Sequence, residues 1–328
     1  MSANLSPHNR PPLDDQAIED LVRGLDNLYW NLQVQIDILK LGERAVPALV
    51  RFLLSPPSQF PEGRVLAAEA LGHLGGESAF HGLLKALDPQ RFEGLEPILR
   101  LSEEDVQNAV ARQLARIGDR RAVPVLLDAL RMLYLVGAAE ALVQFHEAEA
   151  LPWLVEGLED AFKRNRFSQA ILDMGGTAIP SLIATLEQRR MYYYDEELLP
   201  SIERRAEALR LLGLLHATQA AQRIRTALCD QYEKVRTEAA LALVAVEERD
   251  LVLEAVPALM AGLTDPDFLE RDRCSEALVR IGQRCGPFIE QMLVHGCINV
   301  AGETVFLSVN ARTAALGVLD RLKGRVTC

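Results

Sequence analysis

A nine-residue pattern, Ala-x-Pro-x-Leu-x-x-x-Leu, recurs along almost the whole chain, and internal repetition of this kind constrains the fold before any single residue does. Three consecutive copies are clearest: Ala122-Val123-Pro124-Val125-Leu126 to Leu130, Ala150-Leu151-Pro152-Trp153-Leu154 to Leu158, and Ala178-Ile179-Pro180-Ser181-Leu182 to Leu186, with their prolines 28 residues apart. Extended both ways, the register gives eight copies. The first column reads Ala45, Ala79, Ala122, Ala150, Ala178, Ala220, Ala255 and Cys285. The middle column reads Leu49, Leu83, Leu126, Leu154, Leu182, Ile224, Leu259 and Ile289, and the last reads Leu53, Leu87, Leu130, Leu158, Leu186, Leu228, Leu263 and Leu293.

Apolar columns four residues apart lie on one face of a helix. Proline holds the third position in six of the eight copies, a place it can take only where the amide protons have no intrahelical partner, the first turn. His81 and Gln222 stand there in the other two. A second amphipathic run precedes the copies, as in Leu71 and Leu74, Leu114 and Ile117, Leu142 and Phe145, or Leu212 and Leu215. Turns such as Gly75-Gly76-Glu77-Ser78, Gly118-Asp119-Arg120-Arg121 and Gly175-Gly176-Thr177 separate the two runs, with glycine ending the first helix in a left-handed conformation. Each repeat is therefore a helical hairpin. One hairpin cannot bury its stripe alone, so neighbours must stack. The expected class is all-α, an α-α superhelix or α-solenoid of about eight hairpins. It is expected as a single domain over 15–328, after a disordered segment 1–14 that carries Pro7, Pro11 and Pro12.

Charge narrows the partners. Against 35 Lys and Arg stand 46 Asp and Glu, a net charge of −11, which repels phosphate backbones and anionic lipid and argues against nucleic acid and membrane partners. No run approaches the roughly 18 apolar residues that a spanning helix needs, and the polar start Met1-Ser2-Ala3-Asn4 lacks a secretory layout, so a cytoplasmic protein is expected. Five cysteines, Cys229, Cys274, Cys285, Cys297 and Cys328, form an odd set without a CxxC pair and read as reduced thiols used in packing.

The columns over residues 15–322 resemble HEAT repeats, and the 28-residue central spacing resembles the short phycobilisome-lyase type of HEAT-like repeat. The resemblance implies a solenoid fold shared by adaptors, assembly factors, bilin lyase subunits, a hydroxylase and a DNA glycosylase family, so it leaves activity open. The deoxyhypusine hydroxylase family holds a di-iron centre through several His-Glu pairs, whereas this chain has one such pair, His146-Glu147. HEAT-like alkyl-DNA glycosylases are strongly basic along the concave face, which this acidic chain does not match. The E/F-type phycobilin lyases, which attach or isomerise bilins on phycobiliproteins, share the short repeats, and none of their active residues carries over.

Residues that interrupt the rhythm are not needed to fill the core and tend to project. The first interruption, 88–102, contains Pro89-Gln90-Arg91-Phe92-Glu93-Gly94, followed by an expected short extra helix over Leu95 to Leu101. The second, 188–200, carries Arg189, Arg190, Tyr192, Tyr193 and Tyr194, three of the six tyrosines. Tyr and Arg often dominate protein interfaces. Equally, the tyrosines pack on the repeats while the arginines pair with Asp195 and Glu196. The third, 295–308, has β-branched runs at Cys297-Ile298-Asn299-Val300 and Thr304-Val305-Phe306-Leu307 that suit a hairpin turning at Ala301-Gly302-Glu303. A helix from Ala311 to Leu322 would then cap the array.

After the proline comes a column of mostly small residues that also holds Trp153. HEAT-like structures line their concave face with the second helices, so the resemblance makes Trp153 a candidate anchor for a partner protein, with Asp128, Arg131 and Glu156 beside it. The alternative is that Trp153 closes a packing gap. No GxxxxGK[ST], GxGxxG after a strand, HExxH, GxSxG or EF-hand loop occurs. His8, His73, His81, His146, His216 and His295 are scattered, and the acidic runs Glu103-Glu104-Asp105 and Glu247-Glu248 read as a solvated helix start and a solvated turn. No catalytic, cofactor or metal residues are assigned. The reading is a scaffold or adaptor for another protein, and the alternative is a bilin lyase subunit.

Overall fold

The computed structural model describes residues 13–192, 196–246 and 251–324. The expected disorder of 1–14 falls almost wholly outside them. Asp14, which is described, caps the first helix by accepting the Ala17 amide proton at 2.8 Å. The chain divides at Ala150 into two units, each taken by itself below.

The first unit contains α1 (Asp15–Arg23), α2 (Asn31–Leu41), α3 (Val46–Leu53), α4 (Glu62–Leu74), α5 (Gly76–Ala86), α6 (Pro97–Ile117), α7 (Val123–Leu133) and α8 (Val136–Gln144). The second contains α9 (Leu151–Glu156), α10 (Arg164–Met174), α11 (Ile179–Thr185), α12 (Leu199–Leu214), α13 (Ala221–Ala227), α14 (Glu233–Val246), α15 (Val256–Gly262), α16 (Phe268–Ile281) and α17 (Gly286–His295). Strands β1 (Cys297–Val300) and β2 (Glu303–Phe306) follow, and then α18 (Val309–Leu322). Hairpins stack as the repeat requires. First helices pack on first helices, α2 on α4 and α4 on α6 in one unit, α12 on α14 and α14 on α16 in the other, while second helices such as α3 and α5, or α15 and α17, form the opposing layer. The all-α class follows directly.

The columns explain the core. All eight residues of the first column and all eight of the middle column are fully buried. In the last column Leu186 and Leu293 are half-buried, and the others are buried. Short 3₁₀ turns end on the first-column residue at Ala45, Ala122, Ala150, Ala178, Ala220, Ala255 and Cys285, and the α-helix begins on the next residue. Proline then occupies the helix's first turn at 47, 124, 180, 257 and 287.

The turns are more specialised than the sequence suggests. Gly118 is left-handed, with φ 78° and ψ 10°. Gly75 and Gly175 have φ of 64° and 60° but ψ of −156° and −139°, a region open essentially to glycine alone. His146 and His216 hold the equivalent turn with φ of 52° and 49°. His146 therefore serves as a turn residue, and the His216 Nδ1 proton is donated to the Ala245 carbonyl at 3.0 Å.

A further column, missed in the sequence, lies seven residues before the buried aliphatic of several first helices. Arg64, Arg164, Arg236 and Arg271 reach back there to carbonyls of the preceding loop: Ser55 at 3.2 Å, Leu158 at 2.8 Å, Asp230 and Gln231 at 2.9 Å each, and Asp265 and Pro266 at 2.7 and 2.8 Å. Carbonyls beyond a helix end lack intrahelical donors, so each arginine fastens one hairpin to the next.

The interruptions take three forms. Residues 89–92 make a 3₁₀ turn, and the helix expected over Leu95 to Leu101 is instead the opening of the 21-residue α6, started by Pro97. Glu103-Glu104-Asp105 therefore lies within α6 and not at its start, because no residue between Pro97 and Asp105 breaks the helix. In the second, Met191 and Glu197 form an isolated antiparallel bridge. The third is the expected hairpin: β1 and β2 pair antiparallel with Val300 opposite Glu303, turning through Ala301 and Gly302 at φ 51° and 84°, the two-residue turn whose twist matches the strands.

Candidate partner-binding surfaces

In the first unit Asp128 and Arg131 are exposed on α7. In the second, Trp153 is half-buried on α9, and Tyr192 is exposed. Tyr193 and Tyr194 lie outside the described residues. The arginines of the 188–200 interruption are committed within the chain. Arg190 binds Glu156 and, at 2.9 Å, Glu159, while Arg189 Nη2 lies 2.9 Å from Asp230 Oδ2 and its Nε 4.0 Å from Glu197. Their partners thus come from neighbouring hairpins and the loop base. The structure therefore joins Arg190 and Glu156, two expected contact residues, to each other.

Beneath this loop sits a buried cluster that the sequence reading did not assign. Arg205 is 1% exposed and grips Glu197 through Nε at 2.9 Å and Nη2 at 2.7 Å, with Nη1 on Asp230 at 2.7 Å. Ser201 donates its hydroxyl to Glu197 at 2.7 Å, and the Tyr232 amide donates to Asp230 at 3.0 Å. Burial acts to raise the Asp230 carboxyl, yet the hydrogen bonds from Arg205 and Tyr232 hold it below the ordinary aspartate range. Arg205 stands seven residues before the buried Leu212, the place of the loop-fastening arginines, and that spacing was the available signal. The first interruption is tied down likewise: fully buried Glu103 accepts from Arg64, from Arg91 Nε at 2.6 Å and from Gln107 at 3.4 Å. Glu103 is thus a buried anchor, not the solvated carboxylate expected.

A cavity of about 450 Å³ borders the loop, lined in part by Leu186, Arg189, Arg205, Arg223 and Asp230. Its guanidinium groups are matched by Asp230, Glu197 and Glu187, so it presents no free positive field. Cys274 and Cys285 are buried, as packing thiols should be, and burial pushes Cys274 up to about 12, while Cys229 is exposed. Among the described residues no group of three or more His, Cys, Asp or Glu side chains is placed to hold a metal ion. No described helix is long and apolar enough to cross a membrane.

What the described surface does offer is a row of large apolar side chains where most first helices begin, α8 and α14 excepted. In the first unit these are Tyr29 and Trp30 before α2, Phe60 before α4 and Ile98 in α6, and Tyr29 is 92% exposed. In the second they are Phe162 before α10, Leu199 opening α12, Phe268 opening α16 and Val309 opening α18, and Phe162 is 99% exposed. Stacked hairpins present equivalent ends along one edge, so each unit carries an apolar edge. The columns pointed to the buried face and concealed this one.

Comparison with known proteins agrees with the repeat. Residues 92–175 match the family described as HEAT repeats, and residues 64–89 match the PBS lyase HEAT-like repeat. This chain carries HEAT repeats. No curated protein matches the sequence significantly. Among solved structures, human deoxyhypusine hydroxylase in complex with glycerol is 20% identical, covering 81% of this chain and 96% of its own, with a TM-score of 0.31. The complex of CpcE and CpcF of phycocyanin lyase from Nostoc sp. PCC7120 is 18% identical, covering 79% and 98%, with a TM-score of 0.32. Likeness at that level carries no argument about activity.

Proposed function

We propose that this HEAT-repeat chain is a non-catalytic scaffold that holds a partner protein. The observation that carries the reading is the apolar edge. Aromatic and aliphatic side chains are left in water at the start of most first helices, although the repeat does not need them for its core. Large aromatic anchors of this kind supply most of the affinity in protein interfaces. Further proposed contact residues are Asp128 and Arg131 in the first unit and Trp153 and Tyr192 in the second, whereas Arg189, Arg190 and Glu156 support the loop that carries Tyr192.

Capture of a defined partner by the purified chain tests this. Phe162→Ala with Phe268→Ala should abolish capture while leaving the circular dichroism spectrum and unfolding midpoint unchanged, since both side chains are exposed. Undiminished capture by the double variant would remove the edge from the proposal.

A second reading, a bilin lyase subunit, is favoured by the match of residues 64–89 to the PBS lyase HEAT-like repeat. Co-expression with a bilin and a phycobiliprotein subunit should then give covalently coloured product. Colourless phycobiliprotein, with the bilin demonstrably present, removes that reading.

A further inference from the structure

The first helices of the first unit leave an open groove of about 560 Å³ on their outer side. Helix α4 forms its floor with Val65 and Leu66, α2 forms one wall with Leu32, and α6 forms the other with Ala109 and Gln113. The floor and the α2 wall are apolar and half-open: Leu32 is exposed, and Val65 and Leu66 are half-buried. Trp30 and Phe60, both exposed, adjoin the lining residues Asn31 and Pro61 in sequence.

The polar side chains are one-sided. Glu62, Glu69 and Asp105 line the groove together with a single cation, Arg112, whose Nε is engaged by Glu140 at 2.7 Å. Glu69 accepts from Gln35 at 3.3 Å, a neutral donor that leaves its charge in place. The Gln113 Oε1 is buried with no hydrogen-bond partner among the described residues. It lies over Gly72, where a Cβ would overlap it. The Asp105 carboxyl is raised by burial and by the neighbouring charges of Glu104 and Glu62, against the pull of Arg112. Excess negative charge therefore surrounds an apolar trough, and its complement is a set of donors carrying positive charge.

We propose that the groove between α2 and α6 receives a basic amphipathic helix of the partner protein. Its aliphatic face lies on Leu32, Val65 and Leu66, and its Lys or Arg side chains reach Glu62, Glu69 and Asp105. The shape fits the helix-in-groove mode of recognition, in which an apolar face fills a trough between helices, and the field favours a cation through complementarity of sign. This inference rests on the scaffold reading and assigns one surface and one partner chemistry to it.

The test uses the full chain and two fluorescent helical peptides, one built of Leu and Lys and one of Leu and Glu in the same amphipathic order, with binding read by anisotropy. The Lys peptide should bind and the Glu peptide should not. Glu62→Gln with Asp105→Asn should weaken the Lys peptide by about tenfold or more, the scale at which loss of one to two kilocalories is read. Leu32→Ala with Leu66→Ala should weaken it with all charges intact, and Glu276→Gln in the second unit should leave it unchanged. Equal affinity of the charge variant and the parent chain, or equal binding of both peptides, would overturn the groove assignment. If partner capture is lost in the Phe162 and Phe268 variant but survives in both groove variants, the groove fails while the scaffold stands. If capture survives in all of them, the scaffold surfaces fail together.

Discussion

Between Ala122 and Leu186, where copies follow at even spacing, the buried polar side chains among the described residues are only Ser168 and Thr185, and no buried charge occurs. The stretches where the rhythm breaks are built differently. Around the first interruption lie buried Arg64, Ser102, Glu103 and Gln107, and around the second lie Glu197, Ser201, Arg204, Arg205 and Asp230. A regular hairpin meets its neighbour through an apolar stripe and leaves few backbone groups stranded. An inserted loop brings unpaired carbonyls and amides to the edge of the core, and buried polar groups must find partners there. The first two insertions are therefore fastened by buried charge, and the evenly spaced stretch mainly by its apolar stripe, with Arg164 reaching the Leu158 carbonyl.

The sharpest way to break that contrast is Arg205→Ala. It leaves buried Glu197 and Asp230 with only the half-exposed Arg189 as a cation and should destabilise the second unit by about 3–5 kcal/mol in urea unfolding. Replacing Arg205, Glu197 and Asp230 together with aliphatic residues should cost less than the single change, because no charge is then stranded. A single-variant loss under about 1 kcal/mol, in the range of a surface pair, would mean the loop is not held by this cluster. In the regular stretch, Leu158→Ala should cost about 2–5 kcal/mol through lost burial and a cavity, with little dependence on salt. Salt dependence as strong as that of a charge variant would undo the distinction.

Next in size, Gly175→Ala forces an alanine into φ 60° and ψ −139° and should cost about 1–3 kcal/mol. The smallest effect belongs to a surface pair. Exposed Glu77 takes Arg121 at 2.8 and 2.9 Å, and these hydrogen bonds lower its carboxyl from 4.5 to about 2. The native value is depressed, so the pair's contribution is complete above about pH 4.5 and is lost as pH falls toward 2. Glu77→Gln should flatten the acid limb of a pH–stability curve, slightly lowering stability at pH 7 and leaving it unchanged near pH 2. An unaltered acid limb would show the pair to be inert.

Legibility followed the same divide. The apolar columns, helix starts and β-hairpin at 297–306 were all readable, because periodicity and turn chemistry are local. Three things were not. The helix over Leu95 to Leu101 was read as separate because the interruption was taken to end where the acidic run begins. Glu103 was read as solvated because a carboxylate's burial depends on Arg64, 39 residues away. Beyond the neighbours Asp195, which lies outside the described residues, and Glu196, Arg189 and Arg190 meet Asp230 and Glu156, which neighbouring hairpins bring close and no local pattern announces. Of the candidate contact residues, Tyr192, Asp128 and Arg131 keep the exposure expected of them, Trp153 is half-buried, and the apolar edge went unseen because exposure leaves no period in a sequence.

By itself the sequence determined that this chain folds as stacked helical hairpins, since apolar columns four residues apart and a proline at six of the eight second-helix starts are properties of neighbouring residues. Only the tertiary structure decided which charges are buried, which loops they hold and which apolar side chains remain in water. Those outcomes depend on the distance between residues far apart in the chain, and that distance exists only once the hairpins have packed.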